Sequence, residues 1–350
     1  MSRYFSSNYA TLVPYTPGEQ PQNRQYIKLN TNESPFPPSE NAIRTASEEL
    51  DKLMLYSDPE CKLLRQAYAE LIGVKPENLV AVNGSDEVLN FAFMAFCDQD
   101  HPVIFPDITY GFYPVYAEAN HIPYEEIPLD ENFRIRVSDY CGANKTMFIA
   151  NPNAPTGITL THAECEEIIR TNPDSVVVID EAYVDFGGES CVDLINKYDN
   201  LFITQTFSKS RSMAGARLGF GIACEALIND INTLRYSTNP YNVNRMTMAA
   251  GIGAIRDEAT TRANCAAVAE IREWTKSELE RLGFECTDSK TNFLFAGHPQ
   301  LDGKWLYEQL KERGILIRHF EKERIRNYNR ITIGSKEQMQ ILIDKIGELL

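Results

Sequence analysis

Four stretches of the sequence set groups with chemical potential beside elements able to hold them. TFSKSRSMAGARLGF at 206–220 puts Lys209 just after an apolar run and Arg217 eight residues further on. A lysine amine in that place is either a nucleophile or a solvated loop residue, and the segment alone favours the loop residue. SVVVIDEAY at 175–183 ends a β-branched run on Asp180, with Tyr183 three residues later. Its bland reading is a carboxylate capping the next helix. A magnesium-holding aspartate is another reading, but no G-x-x-x-x-G-K-[ST] phosphate loop occurs in the chain to go with it. VNGSDEVLNFAFMAFC at 82–97 leads through Gly84, Ser85 and Asp86 into a helical pattern. A helix N-terminus suits a phosphate, and it equally suits an ordinary cap. NPNAPTGI at 151–158, which includes Asn153, has turn chemistry that needs no function.

The elements that must carry these stretches bring them together. Apolar runs at 102–105, 146–150, 175–180, 201–205 and 219–223 alternate with helical patterns, notably at 60–72, 85–97 and 162–171. This is the pattern of an α/β fold, a mostly parallel central sheet with helices on both faces and the run at 175–179 in its centre. All four stretches then fall at strand C-termini, the edge where open α/β sheets bind ligands. Past residue 240 the texture changes to helices at 244–256 and 259–281, then NFLFA (292–296), a helix near 302–312, ILIR (315–318), RITIG (330–334) and a terminal helix. That pattern predicts a large α/β domain over 46–240, with 1–45 and 241–350 forming an N-terminal segment and a smaller α+β domain. A length of 350 residues agrees with about two domains. The first 45 residues have little periodicity and need another domain to lie across.

The net charge of −15 disfavours nucleic acid, whose binding rests on phosphate neutralisation. A small anion remains a possible ligand wherever a few arginines converge. No apolar run approaches the ~18 residues of a membrane span, and MSRYFSSNYATLVPY has no signal-peptide core, so a cytoplasmic protein is expected. Eight scattered cysteines without a C-x-x-C pair read as free thiols in a reducing compartment. The five histidines show no metal-ligand spacing, and no metal site is expected.

In order along the chain, LNTNESPF, NGSDEVL, ITYGFY, NPNAPTG, VVVIDEAYVDF, FSKSRSMAGARLGF and RITIG resemble the class I/II aminotransferases of fold type I, and among them the histidinol-phosphate branch. The likeness runs from about residue 15 to the end. It implies pyridoxal 5'-phosphate as cofactor, held as a Schiff base on Lys209, with Asp180 facing the pyridine nitrogen, Tyr183 on the ring's phenolic oxygen and Tyr110 stacked on the ring. It implies a phosphate site made of Gly84, Ser85, Asp86, Ser208 and Arg217, completed by Tyr56 from the neighbouring subunit of a homodimer with shared active sites. Arg318 and Arg330 match the substrate-anion arginines, and Tyr15 and Asn32 line the site. The partners so implied are small molecules, an amino donor and a 2-oxo acid acceptor, here L-histidinol phosphate and 2-oxoglutarate. Two departures stand out. Ala154 occupies the place of the family's asparagine before Pro-Thr-Gly, with Asn153 one residue earlier as a substitute, and Leu55-Tyr56-Ser57-Asp58 replaces the family's Arg-Tyr-Pro-Asp. Threonine-phosphate decarboxylases and aromatic-amino-acid aminotransferases share the resemblance and stay open as alternatives. A non-catalytic cofactor-binding regulator would need a DNA-binding module for which the chain has no room.

Overall fold

The apolar runs of the middle of the chain form strands buried on both faces, which is why they read as continuous hydrophobic stretches and not as alternations. The structure is a computed structural model and describes residues 2–22 and 24–350. In chain order it contains β1 (Ile27–Lys28), α1 (Glu40–Ser47), α2 (Lys62–Ile72), β2 (Leu79–Val82), α3 (Ser85–Phe96), β3 (Val103–Pro106), α4 (Tyr113–Ala119), β4 (Tyr124–Ile127), β5 (Thr146–Ala150), α5 (His162–Thr171), β6 (Val177–Asp180), β7 (Leu201–Thr206) and β8 (Gly219–Ala223). There follow α6 (Glu225–Thr238), α7 (Arg245–Ile255), α8 (Glu258–Arg281), β9 (Glu285–Cys286), β10 (Phe293–Gly297), α9 (Gly303–Glu312), β11 (Ile315–Leu316), β12 (Arg318–His319), β13 (Tyr328–Thr332) and α10 (Lys336–Gly347).

Seven strands make the large sheet in the order β2-β8-β7-β6-β5-β3-β4, with β6 in the middle as the run at 175–179 requires. Pairing is parallel from β4 through β3, β5 and β6 to β7, whereas β8 is antiparallel to both β7 and β2. Six strands therefore end at one edge of the sheet and β8 alone begins there. Because of that reversal, the β7–β8 connection never leaves this edge. It carries Lys209 just after β7 and Arg217 just before β8.

Alternate residues of each strand feed two cores, as a period of two demands. Ile149, Ile179, Ile203 and Ile222 face one, and Phe148, Val178, Phe202 and Ala223 face the other. The first core also takes in Ala42 of α1 and Ala250, Ala254 and Ile255 of α7, helices that lie outside 46–240. A third core lies under the antiparallel sheet β12-β13-β10-β9, packed by α8, α9 and α10. The N-terminal segment is tied to this smaller unit. β1 pairs in parallel with β11, and Arg24 donates to the carbonyl of Glu312 at 2.9 Å.

The strands at β2 and β4 escape a sequence reading for different reasons. LVAV is too short to be told from a buried helical turn, and the edge strand YEEI exposes both glutamates, as edge strands tend to do. Helix α6 buries only Ile228, Ile231 and Arg235 and has little apolar periodicity to read.

Helix α8 spans the two units. Near its start Glu258 accepts from Arg211 of the β7–β8 connection at 2.7 Å, and in its middle the buried Arg272 donates to the carbonyls of Phe186 at 3.0 Å and Thr291 at 2.7 Å. Replacing Arg272 with methionine keeps the bulk and leaves both carbonyls without that donor. The expected cost is about 3 kcal/mol, read as a lower urea midpoint. A midpoint equal to that of the wild type would show that the bridge does not hold the units together.

Candidate active site

At the edge where the six strands end, the residues singled out from sequence converge on a cavity of about 390 Å³, within the range of small-ligand sites. One end of it is built for an anion. Helix α3 starts after Gly84, and the amides of Ser85 and Asp86 donate to no backbone carbonyl among the described residues. Those amides carry the positive end of the helix dipole. Arg217 approaches so closely that a Cβ on Gly84, which has φ +78°, would fall 2.5 Å from its guanidinium. A Cβ on Gly219 would likewise meet the Ser85 nitrogen at 2.6 Å. The hydroxyls of Thr206 and Ser208, 3.0 Å apart, lie on the same wall. One edge of Arg217 is taken by Asp86 at 2.8 Å, and the second Asp86 oxygen accepts from Tyr110 at 2.6 Å.

Asp180 lines the same cavity. It is 5% exposed and receives only neutral donors, namely Thr204 at 2.9 Å, Tyr113 at 3.1 Å and the amide of Ala182 at 3.3 Å. Among the described residues no cation pairs with it. Burial pushes its carboxyl up to about 6, against the pull of those hydrogen bonds. It caps no helix, which removes the bland reading of its sequence position.

Lys209 also lines this cavity, its Nζ 5.9 Å from the Tyr183 ring centroid and 3.3 Å from the carbonyl of Thr31. Burial brings the amine down to about 8, helped by the Arg330 and Arg217 charges and opposed by Asp86 and Glu33. A lysine so placed is a usable nucleophile near neutral pH. Tyr183 receives a hydrogen bond from Asn32 at 2.8 Å.

A second cavity of about 300 Å³ adjoins the first, since Tyr110 and Ala154 line both. Tyr15, Arg318, Phe320, Lys322 and Arg330 supply its other functional walls. Arg318 is steadied by the carbonyls of Thr16 at 3.1 Å and Pro17 at 3.4 Å, and Arg330 donates to the carbonyl of Asn30 at 3.0 Å. The Nε of Arg330 is buried with no partner among the described residues. Burial lowers its pKa, yet a guanidinium stays charged in a protein.

Three expected side chains stand elsewhere, the first being Asn32, which is buried behind Tyr183 and lines neither cavity. The Asn153 amide is occupied by Thr109 at 2.8 Å, the carbonyl of Ile108 at 2.9 Å and Thr156 at 3.0 Å, so it braces the turn from behind and does not line the cavity. The Asn153 amide thus presents no unpaired group to this cavity among the described residues. Tyr56 is 80% exposed, stacked on Tyr241 at 4.6 Å, and is not in the wall of its own chain's cavity. Conversely, Thr204 and Tyr113 were not foreseen. Thr204 is in register with Asp180 on the neighbouring strand, a pairing that exists only once the strand order is known.

The chain matches the model of the family described as "Aminotransferase class I and II" over residues 24–346. It belongs to that family. Its substrates are accordingly small molecules, and it is an enzyme of amino-group transfer. The histidinol-phosphate aminotransferase of Brachyspira hyodysenteriae is 47% identical over 352 residues, covering 100% of this chain and 99% of that protein. Histidinol-phosphate aminotransferase 1 of Pseudomonas fluorescens is 45% identical over 350 residues and is covered in full, as is this chain. Among solved structures, the histidinol-phosphate aminotransferase of Sinorhizobium meliloti in complex with pyridoxal-5'-phosphate has a TM-score of 0.90 at 20% identity, covering 100% of this chain and 99% of that one. The L-threonine-O-3-phosphate decarboxylase of Porphyromonas gingivalis has a TM-score of 0.80 at 21% identity, covering 92% and 99%. At such identities the two structures bear on the fold alone, and both share it.

The depressed lysine gives a direct test. Reductive alkylation of Lys209 by a small aldehyde, followed by peptide mass spectrometry, is expected to be half-maximal near pH 8, against about 10.4 for an exposed lysine. A profile like that of the surface lysines would remove the nucleophile from this site.

Proposed function

We propose that this chain is a pyridoxal-phosphate transaminase that moves the amino group of L-histidinol phosphate to 2-oxoglutarate, giving imidazole acetol phosphate and L-glutamate in histidine biosynthesis. The carrying observation is that the Lys209 amine, an anion cradle and a buried carboxylate without a cation among the described residues line one cavity. The donor set fits the cofactor at three points. Amides, hydroxyls and Arg217 suit its phosphate, the Lys209 amine suits its aldehyde, and Asp180 suits its ring nitrogen. Full-length relatives at 45–47% identity support the substrate assignment.

When bound, the cofactor supplies a carbonyl carbon that takes up amines and a protonated ring that draws off electrons. In this reading Ser85, Asp86, Ser208 and Arg217 hold its phosphate and so fix where the ring lies. Asp180 keeps the proton on the ring nitrogen, and the nearby positive charge in turn draws its own pKa back down. Tyr110 would flank the ring and Tyr183 would offer its hydroxyl to the ring oxygen. Lys209, once its amine is free, would be the base that takes the proton from the donor's Cα. Arg318 and Arg330, with Tyr15 in the same cavity wall, would receive the distal anion of donor or acceptor, since guanidinium groups accept phosphate or carboxylate. Eight free thiols agree with work in a reducing compartment such as the cytoplasm.

Lys209→Ala is expected to lower turnover about a thousandfold or more, and borohydride is expected to fix the cofactor covalently in the wild type only. With 2-oxoglutarate and a panel of amines, glutamate should form fastest from L-histidinol phosphate. Preference for phenylalanine or tyrosine, or loss of carbon dioxide from threonine phosphate, would replace the substrate assignment.

The working unit in this proposal is a homodimer. Tyr56 stands among exposed Leu50, Leu53, Met54, Leu55 and Leu63, an apolar surface suited to a second copy. From there Tyr56 would complete the partner's phosphate site under two-fold symmetry. Subunit exchange between Lys209→Ala and Tyr56→Ala variants, each impaired alone, should regain activity above the sum of the parents, because one mixed site recovers both residues. A fully active monomer in sedimentation would end the idea.

A further inference from the structure

A buried chain of hydrogen bonds behind Tyr183 goes beyond the roles assigned above. Thr332, at the end of β13 and 2% exposed, accepts from the backbone amide of Asn32 at 3.0 Å and donates to the Asn32 side-chain oxygen at 3.0 Å. Asn32, 1% exposed, in turn donates its amide nitrogen to the Tyr183 hydroxyl at 2.8 Å. The carbonyl of Asn32 is held by Asn292 at 2.9 Å, so the residue is pinned at both ends of its peptide unit.

The direction of these bonds follows from counting protons. If the Asn32 amide were turned over, Thr332 would face two donors and its own hydroxyl hydrogen would lose the acceptor that it has. The orientation that satisfies Thr332 presents an N–H to Tyr183, and a hydroxyl that accepts from Asn32 must aim its hydrogen elsewhere. Among the described residues Tyr183 has no side-chain acceptor, and its ring lines the first cavity.

We infer that Thr332 and Asn32 are positioning residues that polarise Tyr183, so that its hydroxyl is a fixed donor to the phenolic oxygen of the bound cofactor. The inference rests on the cofactor assignment proposed above. It links the small unit, through β13, to the electronic state of the ring.

The test reads the visible absorbance of the bound cofactor against pH. A donor on the ring oxygen draws off its negative charge, so losing it lets the oxygen hold a neighbouring proton more tightly and raises the midpoint. Thr332→Val should raise the midpoint by about half to one pH unit, and Thr332→Ser should restore it. Asn32→Asp offers Tyr183 an acceptor in place of a donor, and should raise the midpoint at least as far. In a Tyr183→Phe background Thr332→Val should add nothing, because the relay acts only through that hydroxyl. An unmoved midpoint in Thr332→Val and Asn32→Asp overturns the inference, and so does a shift that serine does not reverse or that persists without the Tyr183 hydroxyl. If Thr332→Val does not fold, Asn32→Asp with and without Tyr183→Phe carries the test. A wild type that shows no bound-cofactor absorbance would instead refute the function proposed above, so the two failures are distinguishable.

Discussion

A carboxylate at the end of the central strand, sealed from water and given only neutral donors, is the constraint around which the rest of the site is arranged. Burying an unpaired charge is costly, and a carboxyl so placed drifts toward its neutral form unless a positive charge arrives. Asp180 shows that drift. Lys209 shows the opposite one, with burial and two guanidiniums discouraging its protonation. Each group is held away from its ordinary titration by burial around the same cavity. A ligand with a phosphate at one end and a protonated ring nitrogen at the other would relieve both, and its absence from the chain's own residues is what makes the cavity a binding site and not a piece of core.

The sheet topology turns this constraint into a site. With every strand parallel, the connection after β7 would have to cross the sheet before the next strand could begin. Reversing β8 lets a short connection place a lysine and an arginine at the same edge as the strand-end carboxylate. The reversal also brings the start of β8 against the start of α3, so closely that Gly219 has no room for a Cβ beside the Ser85 nitrogen. The anion cradle and the nucleophile therefore depend on one local feature of strand order.

What could be read from sequence follows the same division. Lys209, Asp180, Arg217 and the start of α3 were legible because each adjoins a strong local signal, either a fully buried strand or a helix start, and the cavity does bring them together. The central position of the strand at 177–180 followed from its run of valines and isoleucine. What was not legible needed contacts across the fold. Thr204 meets Asp180 only through strand register, and Thr332 meets Asn32 across 300 residues of sequence. An asparagine in a Pro-rich turn looks the same in sequence whether it faces a ligand or braces the loop, as the Asn153 amide does. The helices on either side of residues 46 and 240 join the large core through small residues, Ala42 and Ala254 among them, which give little periodicity to read.

The second cavity shows how a chain of net charge −15 can choose anions. Net charge governs the distant field, but selection at a site depends on the groups within a few ångströms. Arg318 and Arg330 stand there, Lys322 being taken up by Glu126 and the Asp107 carbonyl, and the buried Nε of Arg330 lacks a partner among the described residues. A substrate with a distal phosphate or carboxylate satisfies those donors, whereas an aromatic side chain would seal them off unpaired. Pockets that must hydrogen-bond their substrate reject an analogue lacking that group by about 10⁴-fold or more, far beyond what apolar fit alone achieves. Under the proposed function, discrimination between a phosphorylated donor and an aromatic one would fall to this outer cavity, because the groups of the inner one would face the cofactor.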